Sequence, residues 1–156
     1  MAVEEILVAV SCDEASRAVA GFGIYLAEKL GARLTAVAVL DEVVLRELVA
    51  YRVFIEQEAQ EYARDILEQG QRFLRWVADA AAVRGVRCQT SMLRGAVHEA
   101  VLRAAAELPA HLLVIGEVER LGAGRGRVSE GQRILAGARC PVVIVKYPRL
   151  AERPAR

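Results

Sequence analysis

The chain has 156 residues, of which 54% are hydrophobic and 26% charged; this size and composition predict one soluble globular domain and exclude an intrinsically disordered chain. The 21 basic and 20 acidic residues leave a net charge of +1, so no overall field attracts the chain to nucleic acid or to an anionic membrane. We therefore expect any anion-binding site to be local, with neither nucleic acid nor a membrane as a partner.

Five short apolar runs predict β-strands, at residues 6–10, 34–40, 86–93, 112–115 and 142–145. The first run follows MAVEE, an acidic opening that differs from the basic opening of a signal peptide, so we expect the protein to lie in the cytoplasm. Runs that are apolar on both faces are typical of a parallel sheet that helices cover on each side.

A helix is predicted between the first two strands, from residue 13 to about residue 30. Apolar residues recur in it at spacings of three and four, the period of a helix with one buried face: Ala15, Val19, Phe22 and Leu26. Gly31 can end this helix. Its start has two candidate caps, Ser11 with Glu14 or Asp13 with Ser16.

Three further helical regions lie between the later strands. The longest spans residues 44–83 with only an approximate helical period, which predicts a kink or a break, and Gly70 lies inside it. A helix after Gly95 is ended by Pro109, and another runs from residue 129 to residue 137. The alternation predicts an open, doubly wound, five-stranded parallel sheet with helices on both faces, in a domain of residues 1–147 with a tail at 148–156.

Two loops of the predicted sheet are candidates for a ligand site. In open parallel sheets, ligands bind beyond the carboxyl ends of the strands, where the strand order reverses. For these five strands that means the loops after the first and fourth strands, SCDEAS and GEVERLGAGRGRVSE. The first loop offers Ser11 and Asp13. The second ends at Ser129, which forms a capping-box pattern with Gln132, and a capped helix start favours an anion.

The second loop can supply further groups to a phosphate. Glycines let backbone N–H groups approach a ligand closely, and arginines can donate paired hydrogen bonds to phosphate oxygens; the residues concerned are Gly122, Gly124, Arg125, Gly126 and Arg127. A surface loop with its arginines in water is an equally good interpretation, because the pattern matches neither a dinucleotide-binding loop nor a Walker loop. Glu117 and Glu119 would repel phosphate unless they turn away.

No catalytic constellation is visible in the sequence. Glu99 follows His98, but no partner at a suitable spacing nominates an acid–base pair. The three cysteines are odd in number and lack the spacing of a disulfide framework or a zinc site. We therefore lean against an enzyme and expect no metal cluster.

Several motifs resemble those of the universal stress protein family, and the resemblance runs from residue 6 to residue 146. They are ILVAV followed by EAS, LTAVAVLD, RGAVHEAVL, which is similar to the family's GxPxEAIL turn, and LLVIG followed by CPVVIVK. The resemblance implies the adenine-nucleotide α-hydrolase-like fold with strand order 3-2-1-4-5. It also implies a homodimer built through the last strand, with the interface residues Val142, Val143, Ile144 and Val145.

The family's ATP motif is present only in part. Nucleotide-binding members carry Gly, two residues, Gly, nine residues and then Gly-Ser or Gly-Thr; Gly116 matches the first glycine and Ser129 the hydroxyl. Glu119 and Val128 replace the other glycines, and the interval is shorter by one residue. The resemblance therefore implies an altered site for ATP or a related adenine nucleotide, whose candidate residues are Ser11, Asp13, Val39, Gly95, Gly116, Gly122, Gly124, Arg125, Gly126, Arg127 and Ser129.

These departures favour a dimeric stress-response or regulatory protein with at most weak or altered adenine-nucleotide binding. Two alternatives stay open. One is a member of the same fold group that binds or hydrolyses ATP, with Ser129 and the arginines at the phosphates. The other is a pure protein-interaction module whose second helical region docks on a partner.

Overall fold

Five parallel strands form one sheet in the computed structural model, which describes residues 2–117 and 129–146. The strands are β1 (Glu5–Ala9), β2 (Arg33–Asp41), β3 (Cys88–Gly95), β4 (Leu112–Gly116) and β5 (Val142–Val145). Their order across the sheet is β3-β2-β1-β4-β5, which confirms the doubly wound topology. Because the chain proceeds outward from β1 in one direction and then returns to place β4 on its other side, the strand order reverses between β1 and β4.

Helices cover both faces of the sheet. They are α1 (Glu14–Leu30), α2 (Glu42–Ala50), α3 (Glu56–Val83), α4 (Val97–Glu107) and α5 (Glu130–Gly137). The central strand is buried on both sides, since Ile6, Leu7 and Val8 are all 0% exposed. Ile6 and Val8 belong to one hydrophobic cluster and Leu7 to the other, as expected from the alternation of side chains along a strand.

The edge strand β3 differs from its prediction. It begins at Cys88, two residues later than expected, and Val86 is buried in the short connection before it. Residues 89–91 are exposed, so this strand is not apolar on both faces. An edge strand packs a helix mainly on one side, and its polar side chains therefore remain in contact with water.

The start of α1 resolves the two candidate caps in favour of Asp13. The Asp13 carboxylate oxygen Oδ1 accepts a hydrogen bond from the backbone N–H of Ser16 at 2.9 Å. The Ser11 hydroxyl instead lies 2.9 Å from the Ser16 hydroxyl. Gly31 ends the helix with φ 66°, as predicted from its position.

The long helical region is broken, as its irregular period predicted. Helix α2 ends at Ala50 and α3 begins at Glu56. Gly70 is buried in α3, and a Cβ atom added to it would lie 2.5 Å from Sδ of Met92. Glycine has a low helix propensity. It fits at this position because the Met92 side chain of β3 occupies the space that a larger residue would need.

Helices α4 and α5 also match their predicted positions. Ser129 caps α5, and its side chain and that of Gln132 bond to each other's backbone N–H groups, both at 3.1 Å. Helix α4 ends at Glu107, two residues before Pro109. None of the helices in the described part of the chain has the length and apolar character needed to cross a membrane. The tail predicted at residues 148–156 lies outside the described residues.

Candidate functional site

A cleft of about 290 Å³ opens between the carboxyl ends of β1 and β4. Residues 9–11 at the end of β1 and residues 115–117 at the end of β4 form its sides. This is the position at which the strand order reverses, where neighbouring loops diverge and leave space above the sheet. The volume is close to the lower end of the usual range for small-molecule pockets, roughly 300–1,000 Å³.

Apolar side chains form most of the cleft wall. They come from α1, β2, α4, β4 and α5, and comprise Val19, Val37, Val39, Val97, Val101, Ile115 and Ile134. Several of these residues also belong to the hydrophobic cores, so the wall is held in place by packing that exists without a ligand. Such a surface suits a flat apolar ring.

Two serines form the polar side of the cleft at the start of α1. Ser16 is only 4% exposed, and its hydroxyl accepts a hydrogen bond from the backbone N–H of Ser11 at 2.8 Å. The Ser11 hydroxyl also lies 2.9 Å from the Ser16 hydroxyl, so the two side chains are hydrogen-bonded to each other. A buried hydroxyl needs such partners, and here they fix the path of the chain at the cleft rim.

Two glutamates are also among the lining residues, Glu117 after β4 and Glu130 in the first turn of α5. Oε2 of Glu130 accepts a hydrogen bond from the backbone N–H of His98 at 2.7 Å and lies 2.7 Å from Nδ1 of the same residue. Helix α4 has Ala96 at its cap position, with no side-chain hydrogen bond of its own. Glu130 therefore caps α4 from a neighbouring helix.

The predicted site residues are distributed over three groups. Ser11, Val39 and Gly116 line the cleft, and Ser129 immediately precedes the lining residues Glu130 and Gly131. The described ends of the two predicted loops therefore border the same cleft. Outside its lining, Asp13 caps α1, and Gly95 ends β3 with φ 123°. The remaining candidates, Gly122, Gly124, Arg125, Gly126 and Arg127, lie outside the described residues.

Sequence reasoning missed the roles of Glu130 and Ser16. The sequence shows Glu130 as an acidic residue in the first turn of a predicted helix. Such residues are common, and they do not indicate a hydrogen bond to a neighbouring helix. For Ser16 the sequence predicts only a role in the cap of α1. The periodic apolar residues Val97 and Val101 gave a signal for a buried face, but not for a face that also borders a cleft.

The thiol of Cys12 lies near the cleft rim without belonging to its lining. Partial burial and, to a lesser degree, the neighbouring Asp13 carboxylate raise the pKa of this thiol, so the protonated form predominates at neutral pH. Protonated thiols are weak nucleophiles and weak metal ligands. Within residues 2–117 and 129–146, His, Cys, Asp and Glu form no group of three or more that could hold a metal ion.

Comparisons with known proteins all indicate the same family. The sequence model of the "Universal stress protein family" matches residues 3–146. A universal stress protein from Methanocaldococcus jannaschii is 35% identical over 85 residues, which are 53% of this chain and 49% of that protein. The aligned stretch thus spans about half the length of this curated relative.

Solved structures share the fold along almost the whole chain. Universal stress protein UspA from Lactobacillus plantarum superposes with a TM-score of 0.75 at 20% identity, over 93% of this chain and 99% of that one. A universal stress protein family member from Burkholderia pseudomallei gives 0.72 at 25% identity, over 92% and 96%.

Two further solved structures are described as nucleotide complexes. One is a universal stress protein in complex with cAMP, with a TM-score of 0.66 at 23% identity over 94% of this chain and 98% of that one. The other is the Archaeoglobus fulgidus protein in complex with dAMP, with 0.63 at 18% identity over 92% and 98%. At these identities the likeness establishes the fold alone.

Proposed function

Since the chain belongs to the universal stress protein family, we propose that it is a cytoplasmic stress-response or regulatory protein that acts as a homodimer. We further propose that its cleft binds an adenine nucleotide, and does so more weakly than a family site with the complete glycine motif. The observation that carries the proposal is the preformed apolar cleft between the ends of β1 and β4.

The cleft walls fit the base of a nucleotide. Val37 and Val39 from β2 face the same space as Val97 and Val101 from α4, so a planar ring can contact apolar side chains of several elements. The relatives solved with cAMP and dAMP support an adenine compound as the ligand.

The altered motif supports weak binding. Glu119 and Val128 stand at two of the three glycine positions of the family motif. A side chain at such a position prevents the close approach of backbone N–H groups to phosphate oxygens. The glutamate also adds a negative charge, which opposes phosphate binding.

The test is to identify what the protein carries. The full chain is purified from cells, denatured, and the released small molecules are identified by mass spectrometry, followed by calorimetric titration of the stripped protein with ATP, AMP and cAMP. We expect the released compound to be an adenine nucleotide and its dissociation constant to be large, and release of ADP or AMP after loading with ATP would indicate turnover.

A pair of variants tests whether the cleft is the binding site. Val39→Phe should fill the cleft and abolish nucleotide binding, whereas Val53→Phe, at an exposed position between α2 and α3, should leave nucleotide binding unchanged. Failure of every adenine compound to bind would refute the proposal.

The homodimer is proposed to form through β5. This strand is the edge of the sheet, and its outer side is hydrogen-bonded to no other strand of the described chain. Ile144 is 39% exposed on it, and an exposed apolar edge strand favours pairing with a second copy.

The mass of the protein in solution tests the dimer. Light scattering after gel filtration should give the mass of two chains. Ile144→Lys should give the mass of one chain, and Ile55→Lys, on the exposed segment after α2, should leave the dimer intact.

An exposed apolar segment favours a protein-interaction module as the second candidate function. Between α2 and α3, Tyr51 is 76% exposed, Val53 61% and Ile55 64%. Exposed apolar residues that lie close together in one short segment are typical of contact surfaces. If this candidate is correct, a protein that co-purifies with the wild-type chain should be lost when the three residues are replaced by Ser, while adenine-nucleotide binding is unchanged.

A further inference from the structure

We propose that a groove between α1 and α3 binds a short acidic segment of a partner protein, extended and with an apolar side chain against Trp76. This α1/α3 groove consists of two pockets, of about 270 and 200 Å³, that share Trp76 as a lining residue. None of its described lining residues belongs to the cleft between β1 and β4. Binding of a partner at the groove therefore does not depend on a ligand in the cleft.

The spacing of residues on the two helices accounts for the groove. Every fourth residue of a helix lies on nearly the same face. Two such series line the groove, one from each helix: Arg17, Gly21 and Tyr25 on α1, and Arg72, Trp76 and Ala80 on α3 with Arg84 directly after it. A Cβ atom added to Gly21 would have no atom of a neighbouring element within 4 Å. The small residues Gly21 and Ala80 thus leave the space between the helices open.

The charges of the α1/α3 groove favour a carboxylate. Its described lining contains three arginines and no lysine, aspartate or glutamate. Glu14 lies 3.5 Å from Arg17 and Glu28 lies 3.1 Å from Arg84, and each ion pair involves one guanidinium nitrogen. Arg72 forms no ion pair with any other residue that the structure describes. Because a guanidinium carries five N–H donors, these arginines can bind further carboxylate oxygens.

Charge also argues against an occupant from this chain. Residues 118–128 and 147–156, outside the described parts, each contain three arginines and one glutamate, so neither segment is acidic. A two-fold contact with a second copy places each surface patch against the same patch of the partner, and the arginines of the groove would then face arginines. The segment that fits the groove therefore belongs to a different, acidic protein.

Trp76 has the surroundings of an interface anchor. The guanidinium carbon of Arg17 lies 5.1 Å from the centroid of its ring, and the ring of Phe73 lies 5.6 Å away. These contacts orient the indole, which nevertheless remains 36% exposed. Tryptophan, tyrosine and arginine contribute most to binding at protein interfaces, where lysine, aspartate and glutamate are depleted. The lining of the α1/α3 groove follows both trends.

The bound glutamates distinguish a peptide from a nucleic acid. Nucleic-acid binding needs a continuous basic surface that follows the phosphates. Here Glu14 and Glu28 lie beside two of the three arginines, which breaks the basic surface into separate points. A peptide with a few spaced carboxylates matches such points better than a chain with one phosphate per nucleotide.

The length of the groove sets the spacing of the carboxylates in the partner. Arg72 and Arg84 are twelve residues apart, which corresponds to about 18 Å along a helix. An extended peptide advances about 3.3 Å per residue. Two acidic residues that reach both arginines are therefore about five residues apart, with an apolar side chain between them at Trp76.

The experiment selects peptides on the full chain and then measures their binding. A random library of twelve-residue peptides displayed on phage is enriched on the immobilised protein, and the enriched peptides that lack tryptophan are synthesised. Trp76 is the only tryptophan of the chain, so its fluorescence reports directly on the α1/α3 groove. Each peptide is titrated at low and at high KCl concentration, and a single-stranded oligonucleotide of twelve residues is titrated in parallel.

Two variants test the groove, and each has a matched control. Gly21→Leu fills the groove and favours the helix, and its control is Ala18→Leu at another exposed position of α1. Arg72→Gln removes one positive charge, and its control is Arg75→Gln, an exposed residue of α3 that lines a different pocket. Circular dichroism establishes that each variant is folded.

We expect the enriched peptides to carry two acidic residues about five positions apart around an apolar one, to change the fluorescence of Trp76, and to bind less tightly at high KCl. Gly21→Leu should lower their affinity about tenfold and Arg72→Gln about fivefold, with less than a twofold change in each control. The inference is overturned if no peptide is enriched, if the enriched peptides are not acidic, or if Gly21→Leu binds them as well as the wild type. Tighter binding of the oligonucleotide than of the peptides would also overturn it.

Discussion

Glu130 and His98 join the first turns of two helices, since one carboxylate oxygen of Glu130 lies 2.7 Å from both the backbone nitrogen and Nδ1 of His98. Because an ionised carboxylate can only accept hydrogen bonds, this arrangement favours the imidazole tautomer with its proton on Nδ1. The contact holds α4 and α5 together at the rim of the cleft.

Removal of this contact should reduce stability through α4. Glu130→Ala leaves the N-terminus of α4 without a side-chain cap, because Ala96 provides none. We expect the free energy of unfolding to fall by about 1 kcal/mol, the usual cost of a lost cap. Glu130→Gln retains an accepting oxygen and should lose less than half as much. Urea unfolding of both variants tests this, and an equal loss in the two would show that the hydrogen bond is not the cause.

Ser129 combines two roles that substitutions can separate. Ser129→Ala removes the cap of α5, with a loss of about 1 kcal/mol, and should also weaken any contact with a ligand phosphate. Asparagine is as good a cap as serine, so Ser129→Asn should restore the stability without restoring AMP affinity. Thermal unfolding and AMP titration measure the two effects. Unchanged AMP affinity in both variants would remove Ser129 from the site.

His111 should stabilise the starts of β1 and β4. Its Nδ1 accepts hydrogen bonds from the backbone N–H groups of Glu4 and Glu5, both at 3.1 Å. His111→Ala leaves both donors without this partner, and we expect a loss of about 1–2 kcal/mol in the free energy of unfolding. His111→Asn can still present an acceptor and should be less harmful. Hydrogen exchange at Glu5 should accelerate in the Ala variant, and unchanged exchange there would contradict the prediction.

Gly70 and Met92 should be energetically coupled. Alanine favours a helix by about 1 kcal/mol relative to glycine, but a Cβ at position 70 would lie 2.5 Å from Sδ and 2.8 Å from Cε of Met92. The flexible methionine must therefore rotate, and Gly70→Ala should change stability by less than about 1 kcal/mol. In a Met92→Ala background the same change should stabilise by about 1 kcal/mol. A double-mutant cycle measures this difference, and equal effects in both backgrounds would exclude the coupling.

The alkylation rate of Cys12 should rise with pH, with a midpoint at a higher pH than that of an unperturbed thiol. Burial, and then the Asp13 carboxylate, raise the pKa of its thiol. The folded chain therefore keeps this proton at pH values where the unfolded chain loses it, so the thiol's contribution to stability is present below the ordinary pKa of about 8.5 and is lost as the pH rises through the raised value.

Alkylation of Cys12 by iodoacetamide, followed by peptide mass spectrometry over a range of pH, tests this prediction. The rate should rise at a higher pH than that of a peptide thiol. Asp13→Asn keeps a good helix cap while it removes the charge, and should move the midpoint to lower pH. A wild-type midpoint at or below that of the peptide would contradict the prediction.

Much of the fold follows from local patterns. The apolar runs located all five strands, and the irregular period of residues 44–83 predicted the break between Ala50 and Glu56. The sequence predicts the start of β3 two residues early, because Val86 is buried in the connection before the strand and a single buried apolar residue does not distinguish a strand from such a connection. The choice between two caps for α1 also needed the structure, since both patterns satisfy the same rule.

The sequence by itself determined the parallel sheet, the helix boundaries marked by Ser129 and Gly31, and the two loops whose ends border the cleft, because these depend on periodicity, capping and strand order. Only the tertiary structure decided what lines the cleft. His98 and Glu130 are 32 residues apart in the chain, and no local pattern links them. They meet because the parallel strands place the first turns of α4 and α5 at the same end of the sheet, where the carboxylate of one helix can bind the exposed N–H groups of the other.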